Sequence, residues 1–253
     1  MDLGLAGRVA MVAAATSGLG GAVARALAAE GCAVSICGRD AGRLAAAARE
    51  LEPATVLSRA VDVTDADAVR DWTAQTVREL GGLHIVVTNA SGPPPGPVDS
   101  FGVTDYRAAL DTALLPHIGL VTTALPHLRA AGWGRVLMIA SETVRQPIPA
   151  YGMSSTVRLG LLGFARTLAP TIAPDGVTIN VLEPGYHDTE GLRRQFGDRA
   201  DNELARIGAA IPVGRVGRLD DFGAMAAMLA SAQAGFVTGT SLLVDGGATR
   251  GVG

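Results

Sequence analysis

The feature of this sequence that most constrains its fold is a regular alternation of strand-like apolar runs with alanine-rich helical segments. The apolar runs are nearly continuous, which is typical of strands buried on both faces of a parallel sheet. There are seven such runs: RVAMVAA, CAVSIC, TVLSRAVDV, LHIVVTN, RVLMIAS, VTINVLEP and SLLVDGG. This repeated alternation with short connections predicts an α/β fold built on a doubly wound parallel sheet.

The segments between the runs predict helices and a single domain. One long helix is expected over about 104–131, and a polar, helical excursion over 189–210. Gly31 is positioned as a helix stop and Asp40 as a helix N-cap. No linker, repeat or low-complexity tract divides the chain, so residues 1–253 are expected to form one domain.

Composition excludes several classes of protein. With 48% hydrophobic and 18% charged residues the chain is not disordered, and a net charge of −3 with interspersed signs does not indicate a nucleic-acid or membrane surface. The apolar runs are strand-sized and too short to span a bilayer. The first residues lack a basic start, and Cys32 and Cys37 share one predicted strand, so we expect no signal peptide, no disulfide framework and a cytoplasmic location. No Cys/His/Asp cluster has metal-ligand spacing.

Lysine is absent from the whole chain, and all 21 basic residues are arginine. Any fixed cation near a reactive group must therefore be an arginine, a cofactor charge or a residue of another subunit. This matters for the stretch YGMSS, in which Ser155 lies four residues after Tyr151 and so on the same helical face.

The first strand runs into a glycine-rich turn with the pattern Ala14-x3-Gly18-x-Gly20. Small residues let the backbone approach a pyrophosphate, and the following helix N-terminus offers N–H groups to it. We therefore predict a Rossmann-type dinucleotide site, although the same turn also occurs without a ligand. Alanine at position 14 fits a negative φ and costs about 1 kcal/mol or more at a positive φ. The predicted contacts in this turn are Ala14, Thr16, Ser17, Gly18, Leu19 and Gly20.

Three other strand ends add to the predicted nucleotide site. The second strand ends CGRD, where Arg39 follows a glycine instead of a carboxylate, so a 2′-phosphate and hence NADP(H) is favoured over NAD(H). A solvent-facing role for Arg39 is the alternative. The end of the third strand places two residues near the predicted adenine, Asp62 and Val63. The end of the fourth strand places three at the rim of the crevice, namely Asn89, Ala90 and Ser91.

Taken together, these motifs resemble those of the short-chain dehydrogenase/reductases over essentially the whole length. The matching pieces are TSGLGGAVA, VDVTD, TNAS, GRVLMIAS, the Tyr151 helix, APDGVTINVLEPGYHDT, IPVGRVGRLDD and FVTGTSLLVDGG. The chain is most similar to the 3-oxoacyl-carrier-protein reductase-like branch, particularly to members with a GPPPG loop. The resemblance implies nicotinamide cofactor binding, a homotetramer or homodimer, and a substrate lid over 189–210. It also implies nicotinamide contacts from Pro184, Gly185 and Thr189.

The same resemblance implies a proton-transfer set of asparagine, serine, tyrosine and lysine, of which this chain keeps two. Ser141 and Tyr151 stand at the serine and tyrosine positions, whereas Ser155 replaces the lysine and Ala113 replaces the asparagine. Without an adjacent cation, a tyrosine of pKa ~10 is a poor base at neutral pH but remains a hydrogen-bond donor.

Two residues are candidates for the missing function. Arg158 is seven residues past Tyr151, about 10 Å along a helix, and its long side chain points back toward the helix N-terminus. A helix-surface or subunit-contact arginine is the favoured interpretation, with a ribose or phosphate contact as the alternative. His187 titrates near neutrality, yet a loop histidine facing cofactor or solvent is favoured over an acid/base.

Two segments near the predicted site each have two open interpretations. The proline-rich loop 91–101 is expected either to wall the substrate pocket or to be a surface connector. The arginines of the excursion 189–210 are expected either to meet an anionic substrate or to form a solvated face.

Three functions remain open from the sequence. The first is an NADP(H)-dependent oxidoreductase that interconverts a carbonyl and an alcohol on a small-molecule substrate. The second is a lyase- or isomerase-like enzyme on the same fold, and the third is a non-catalytic nucleotide-binding subunit. The sequence names neither the substrate nor the direction of reaction.

Overall fold

The computed structural model describes residues 1–251 and contains one seven-stranded, entirely parallel sheet. The strand order is β3-β2-β1-β4-β5-β6-β7, so the direction of winding reverses between β1 and β4. The strands are β1 (Val9–Val12), β2 (Ala33–Gly38), β3 (Val56–Ala60), β4 (Ile85–Thr88), β5 (Gly134–Ile139), β6 (Val177–Pro184) and β7 (Ser241–Val244). The predicted doubly wound α/β fold of a single Rossmann-like domain is confirmed.

Helices cover both faces of this sheet. In the described part of the chain they are α1 (Gly18–Ala29), α2 (Ala41–Glu50), α3 (Ala66–Leu80), α4 (Val103–Ala113), α5 (Leu115–Ala130), α6 (Gly152–Ile172), α7 (Glu190–Phe196), α8 (Ala200–Ala210) and α9 (Leu219–Ala230). Gly31 has φ +84° just after α1, and Asp40 caps α2 by accepting a hydrogen bond from Arg43 N at 2.8 Å. Both predicted helix boundaries are confirmed.

Two apolar layers hold the sheet between its helices. Phe222 of α9 and Leu27 of α1 belong to the cluster on one face, and Trp72 of α3 and Leu120 of α5 to the cluster on the other. All four side chains are fully buried. Because both faces of the central strands are covered in this way, loops can reach the sheet only at its two edges and at the strand ends.

The helix predicted over 104–131 is in fact two helices that break at Leu114, whose φ is −121° and ψ −58°. Pro116 opens the first turn of α5, where its missing N–H costs nothing. By length and composition Val103–Ala130 is apolar enough to cross a membrane, contrary to the expectation of strand-sized runs only. However, α5 packs against β4 and β5 and supplies core side chains, as a core helix does.

Candidate functional site

The glycine-rich turn lies where β1 meets α1, at the point where the winding of the sheet reverses. Ala14 has a φ of +49° and Gly18 a φ of +59°, both in the left-handed region. A Cβ on Gly20 would stand 2.5 Å from Ala14 O, so the turn is tight enough to require glycine there. Asn89 Nδ2 donates to Ala14 O at 3.5 Å. Position 14 thus has the strained geometry that an alanine tolerates poorly.

The start of α1 is left open toward the cleft. Ser17 is the N-cap, but its side chain makes no capping hydrogen bond to the helix. Instead, Ser17 Oγ accepts a hydrogen bond from Arg43 Nη2 at 3.1 Å. The first N–H groups of α1 therefore face outward with the positive end of the helix dipole, which is the arrangement that holds a pyrophosphate. Leu19 follows in the first turn.

A cavity of about 260 Å³ lies beside this turn, between the carboxyl ends of β1 to β4. Predicted contacts line most of it: Ala14, Thr16, Arg39, Asp62, Val63, Ala90 and Ser91. A Cβ on Gly38 would stand 2.4 Å from the methyl group of Thr16, so a larger residue at the tip of β2 would require Thr16 to move. Arg39 is exposed at the mouth. Thr64 donates to Asp62 from its N and Oγ1 and, with a smaller contribution from Arg39, holds the pKa of Asp62 below its ordinary value.

Arg43 is a residue of this site that the sequence reasoning missed. It lies in the first turn of α2, four residues after Arg39, hydrogen-bonds Ser17, and pairs with Glu190 at the start of α7. The signal for it was available, because an arginine in the first turn of the helix after β2 lies near the tip of that strand. Its salt bridge also ties the predicted lid to the nucleotide cleft.

The residues predicted at the nicotinamide end lie together at the end of β6. Pro184 closes the strand, and Gly185 follows with a hydrogen bond from its N to Val244 O at 3.0 Å. Thr189 caps α7 and comes within 3.9 Å of where a Cβ on Gly18 would stand. The structure therefore places Thr189 against the glycine-rich turn, and Gly185 beside Asp245 and Glu142. Their role in holding a cofactor stays a prediction.

Ser141 and Tyr151 lie at the same carboxyl edge, but in different settings. Ser141 follows β5 and caps a short 3₁₀ turn, its Oγ accepting a hydrogen bond from Thr143 N at 3.3 Å. Tyr151 is the N-cap of α6 and pairs through its backbone with Gly96 of the proline-rich loop. Gly96 N donates to Ala150 O at 2.8 Å. The loop 91–101 therefore braces the start of α6.

The hydroxyl of Tyr151 opens onto a cavity of about 450 Å³. Gln195 Nε2 donates to this hydroxyl at 3.5 Å. The excursion 189–210 covers the cavity with side chains from α7 and α8, among them Gln195, Phe196, Arg206 and Ile207. Within the excursion, Arg193 pairs with Asp188 and Asp201, and Arg194 pairs with Glu190. A larger groove of about 700 Å³ lies around Gly31 and Glu50, and Arg25 and Glu50 of this groove also line a smaller cavity with Ser17 and Gly18 of the turn.

Ala113 and Ser155, the two positions predicted to be substituted, differ in what surrounds them. Ala113 is fully buried in an apolar cluster with Met153 and Val157, so no polar relay runs through it. Ser155 N donates to Tyr151 O at 3.0 Å, which places it one turn along α6 from the tyrosine. Its Oγ is buried and has no hydrogen-bond partner among the described residues. Position 155 is therefore a polar position whose hydroxyl is unsatisfied.

Arg158 is not the surface arginine that we favoured from the sequence. It is 7% exposed and reaches back to the end of β5, where Nη1 donates to Ile139 O and Ala140 O at 3.2 Å each. Burial lowers the pKa of Arg158 to about 10, so it stays charged at neutral pH. Its charge also helps to lower the pKa of the buried His117 to about 3, after the larger effect of burial. Arg158 is thus a buried cation that binds the backbone directly before Ser141.

His187 is buried, and does not face solvent. It is 4% exposed, and its ring stacks edge-on against Phe222 with centroids 5.5 Å apart and bonds Gly185 O through Nδ1 at 3.0 Å. Burial lowers its pKa below the ordinary value. We therefore assign His187 a packing role in the loop after β6.

Sequence reasoning also missed Glu142, which follows Ser141 directly. It is 8% exposed and lines the Tyr151 cavity together with Tyr186. Burial and, less strongly, Asp245 raise the pKa of Glu142 to about 7. A carboxylic acid directly after a central strand was a visible signal, but its burial depends on β7 and on the loop after β6. No group of His, Cys, Asp and Glu suited to a metal ion occurs within residues 1–251.

Comparison with known proteins gives the same fold and class. The family model described as enoyl-(acyl carrier protein) reductase matches residues 13–249. The (2S)-[(R)-hydroxy(phenyl)methyl]succinyl-CoA dehydrogenase subunit BbsC of Thauera aromatica is 34% identical over 95% of this chain and 94% of its own. The cis-4-hydroxycyclohexanecarboxylate dehydrogenase of Sinomonas cyclohexanicum is also 34% identical, over 98% of this chain and 99% of its own. L-sorbose reductase from Gluconobacter frateurii, in complex with NADPH and L-sorbose, is 26% identical over the full length of both chains with a TM-score of 0.91.

The chain belongs to the short-chain dehydrogenase/reductase family. Its relatives are dehydrogenases and reductases, so it is related to oxidoreductases that act on small molecules. The more specific resemblance to 3-oxoacyl-carrier-protein reductases stays a prediction.

Proposed function

We propose that this protein is an NADP(H)-dependent oxidoreductase that interconverts a carbonyl and an alcohol. The observation that carries the proposal is the position of the Tyr151 hydroxyl. It opens onto a 450 Å³ cavity at the same edge of the sheet as the glycine-rich turn. A phenol in such a place can give a proton to a substrate oxygen or take one from it.

The residues present fit a phosphorylated dinucleotide. The uncapped start of α1 suits a pyrophosphate, and glycine at position 38 leaves the tip of β2 without the carboxylate that would hold a free ribose 2′-hydroxyl. Arg39 and Arg43 lie at the mouth instead, and arginine suits a 2′-phosphate. The L-sorbose reductase of similar fold was solved with NADPH, which supports the same choice.

A bound nicotinamide would supply hydride chemistry at the carbonyl carbon. The protein's own role is to orient the substrate oxygen with Ser141 and to move a proton at the Tyr151 hydroxyl. Gly185 and Thr189 would hold the nicotinamide end, and the excursion 189–210 would act as the lid that excludes water. Buried Arg158 fixes the end of β5 next to Ser141 through its two carbonyl contacts.

The test is turnover of NADPH with a panel of ketones and 3-oxoacyl thioesters, compared with Tyr151→Phe. We expect the variant to lose at least ~10²-fold in kcat while NADPH fluorescence titration shows unchanged binding. The Tyr106→Phe variant is the matched control, because Tyr106 packs in the apolar cluster with Ala109. Equal turnover by Tyr151→Phe and the parent protein would remove Tyr151 from the chemistry.

A second candidate is a non-catalytic nucleotide-binding subunit that works beside an active partner. It is favoured by Ser155 and Ala113, because the lysine and asparagine positions hold an unpartnered hydroxyl and an apolar contact. The Thauera relative is itself named as a dehydrogenase subunit. Binding of NADPH without turnover on any substrate of the panel would favour this candidate.

We further propose that the protein is a homotetramer or homodimer in the cytoplasm. Exposed apolar side chains gather on the helices α4 to α6, namely Val103, Leu110, Leu115 and Leu159. Such a patch supports self-association. Cys32 and Cys37 are buried free thiols, which suits a reducing compartment.

A further inference from the structure

Tyr151 needs a source of protons, and α6 does not offer one. A phenol that protonates a substrate oxygen must regain its proton before the next turnover. An ammonium could assist from the next turn of the helix, but that position holds the hydroxyl of Ser155. The path past Ala113 is closed by Met153 and Val157. A relay must therefore leave Tyr151 on its other side, through the cavity.

Tyr186 lies on that side. It follows β6, is half-buried, and lines the same cavity as Tyr151. Burial raises the pKa of Tyr186 above its ordinary value, and the neighbouring Tyr151 hydroxyl raises it further through its charge and a hydrogen bond. Tyr186 therefore stays protonated at neutral pH. It can relay a proton only if it accepts one from a neighbouring group at the same time as it donates its own.

Glu142 lines the same cavity as Tyr186 and lies close enough to affect its pKa through charge. The side chain of Glu142 is buried. Its Oε2 lies 3.1 Å from where a Cβ on Gly185 would stand, so the backbone after β6 packs directly against it. Tyr151, Tyr186 and Glu142 thus line a single cavity.

No cation pairs with this carboxyl among the described residues. The charged group that faces it from the end of β7 is Asp245, which is also acidic. Arg145, on the turn that follows Glu142, is held by Glu183 and Ser241. Arg206 of α8 faces Tyr186 and pairs with Glu203. With burial and an acidic neighbour, the pKa of Glu142 rises to about 7, so both of its protonation states are present at neutral pH.

We infer that Glu142 is the proton reservoir of the active site and exchanges its proton with Tyr151 through the Tyr186 hydroxyl. The inference rests on the proposed function for its direction. In reduction, the carbonyl carbon gains the hydride and the substrate oxygen takes the Tyr151 proton. The Tyr186 proton passes to the Tyr151 oxygen while the Glu142 carboxyl proton passes to the Tyr186 oxygen. The Glu142 carboxylate then takes a proton from water, and oxidation runs these transfers in reverse.

The first test needs neither cofactor nor substrate. The chain has three tyrosines, so ¹³C labelling at Cζ gives three signals that single Tyr→Phe variants assign. We expect the Tyr151 and Tyr186 signals to move with a midpoint near pH 7, together with one labelled glutamate carboxyl. The pH-dependent shifts of the two tyrosine signals should vanish in Glu142→Gln. They should persist in the control Glu30→Gln, which changes an exposed residue. Tyrosine signals that do not respond near neutrality, or respond equally in Glu142→Gln, overturn the inference.

The second test is the pH profile of kcat for carbonyl reduction. We expect kcat of the parent protein to fall above pH 7. In Glu142→Gln this fall should be absent, and kcat at pH 6 should be at least ~10-fold lower than in the parent protein. Glu142→Asp should show the fall in kcat above pH 7 again, which would not be expected if Glu142 had a purely structural role. Tyr186→Phe should lack this fall. A fall in kcat above pH 7 that survives in Glu142→Gln overturns the inference. Failure to bind NADPH at all would instead sink the proposed function, and the tyrosine titration would still decide the inference.

Discussion

At the scale of single residues, Ala14 is where sequence and backbone disagree most. Its φ of +49° is a conformation that glycine adopts freely and alanine does not. We expect Ala14→Gly to stabilise the fold by up to ~1 kcal/mol, because relieved strain exceeds the entropy that glycine adds to the unfolded chain. Urea denaturation measures the free energy of unfolding.

The neighbouring Ala15→Gly is the control for that substitution. Ala15 is buried and has no positive φ, so the change should destabilise by roughly 0.5–1 kcal/mol. Equal effects of the two substitutions would show that position 14 carries no strain.

Glu142 is the residue that should make stability depend on pH. Its pKa rises from the ordinary 4.5 to about 7 in the folded protein, because the buried carboxyl resists ionisation. Between these values the unfolded chain gives up the proton first, so the free energy of unfolding falls as pH rises. The penalty is absent below pH 4.5 and complete above pH 7, at roughly 3 kcal/mol from ~1.4 kcal/mol for each pKa unit.

We therefore expect Glu142→Gln to be more stable than the parent protein at pH 8. The advantage should shrink toward zero at pH 4.5. Urea titrations across this range, with the exposed Glu30→Gln as control, measure it. A constant difference between the two proteins at all pH values would show that Glu142 is not the titrating group.

At the scale of elements, the helix α6 carries two positions of the proton-transfer set that the family resemblance implies. Tyr151 caps it, Ser155 lies one turn on, and Arg158 lies a further turn down beneath β5. We expect Ser155→Lys to raise reductase turnover by about 10-fold, since a cation beside Tyr151 favours its ionised form. Steady-state turnover at pH 7 measures the effect.

Ser155→Lys should also lower the free energy of unfolding of the protein without coenzyme, because it buries a second cation three residues from Arg158. The exposed Thr156→Lys on the same helix is the control and should change neither stability nor turnover. An inactive Ser155→Lys protein that still binds NADPH would indicate that the site no longer performs this chemistry.

The elements also show how far sequence alone reaches. Seven strands, the turn from β1 to α1 and the residues at four strand ends were predictable, because apolar periodicity and glycine placement are local signals. Arg158 was misjudged, since its burial depends on two carbonyls at the end of β5 that lie far from it in sequence. Glu142 was missed for the same kind of reason: Asp245, which helps to raise its pKa, is about a hundred residues away.

At the scale of the whole molecule, the cleft lies between β1 and β4, where the direction of winding of the sheet reverses. Residues at the ends of β1 to β4 line the cavity there, Thr189 of the loop after β6 lies near Gly18 of α1, and the pair Arg43–Glu190 links α2 to α7. A dinucleotide bound in this cleft would contact residues on both sides of it and would bind only the folded chain. Ligand at 100 times its Kd should therefore raise the free energy of unfolding by about 2.7 kcal/mol.

We expect NADPH to stabilise the molecule more than NADH at equal concentration, because Arg39 and Arg43 would add charge-assisted bonds to the 2′-phosphate in the proposed site. Arg39→Glu should abolish this difference and leave the effect of NADH almost unchanged. Arg49→Glu, an exposed change at the far end of α2, is matched in charge and should preserve the difference. Thermal or urea unfolding at several coenzyme concentrations measures it. A preference that survives Arg39→Glu would move the discrimination to Arg43 and the Ser17 hydroxyl, while equal stabilisation of the parent protein by both coenzymes would contradict the NADP(H) assignment.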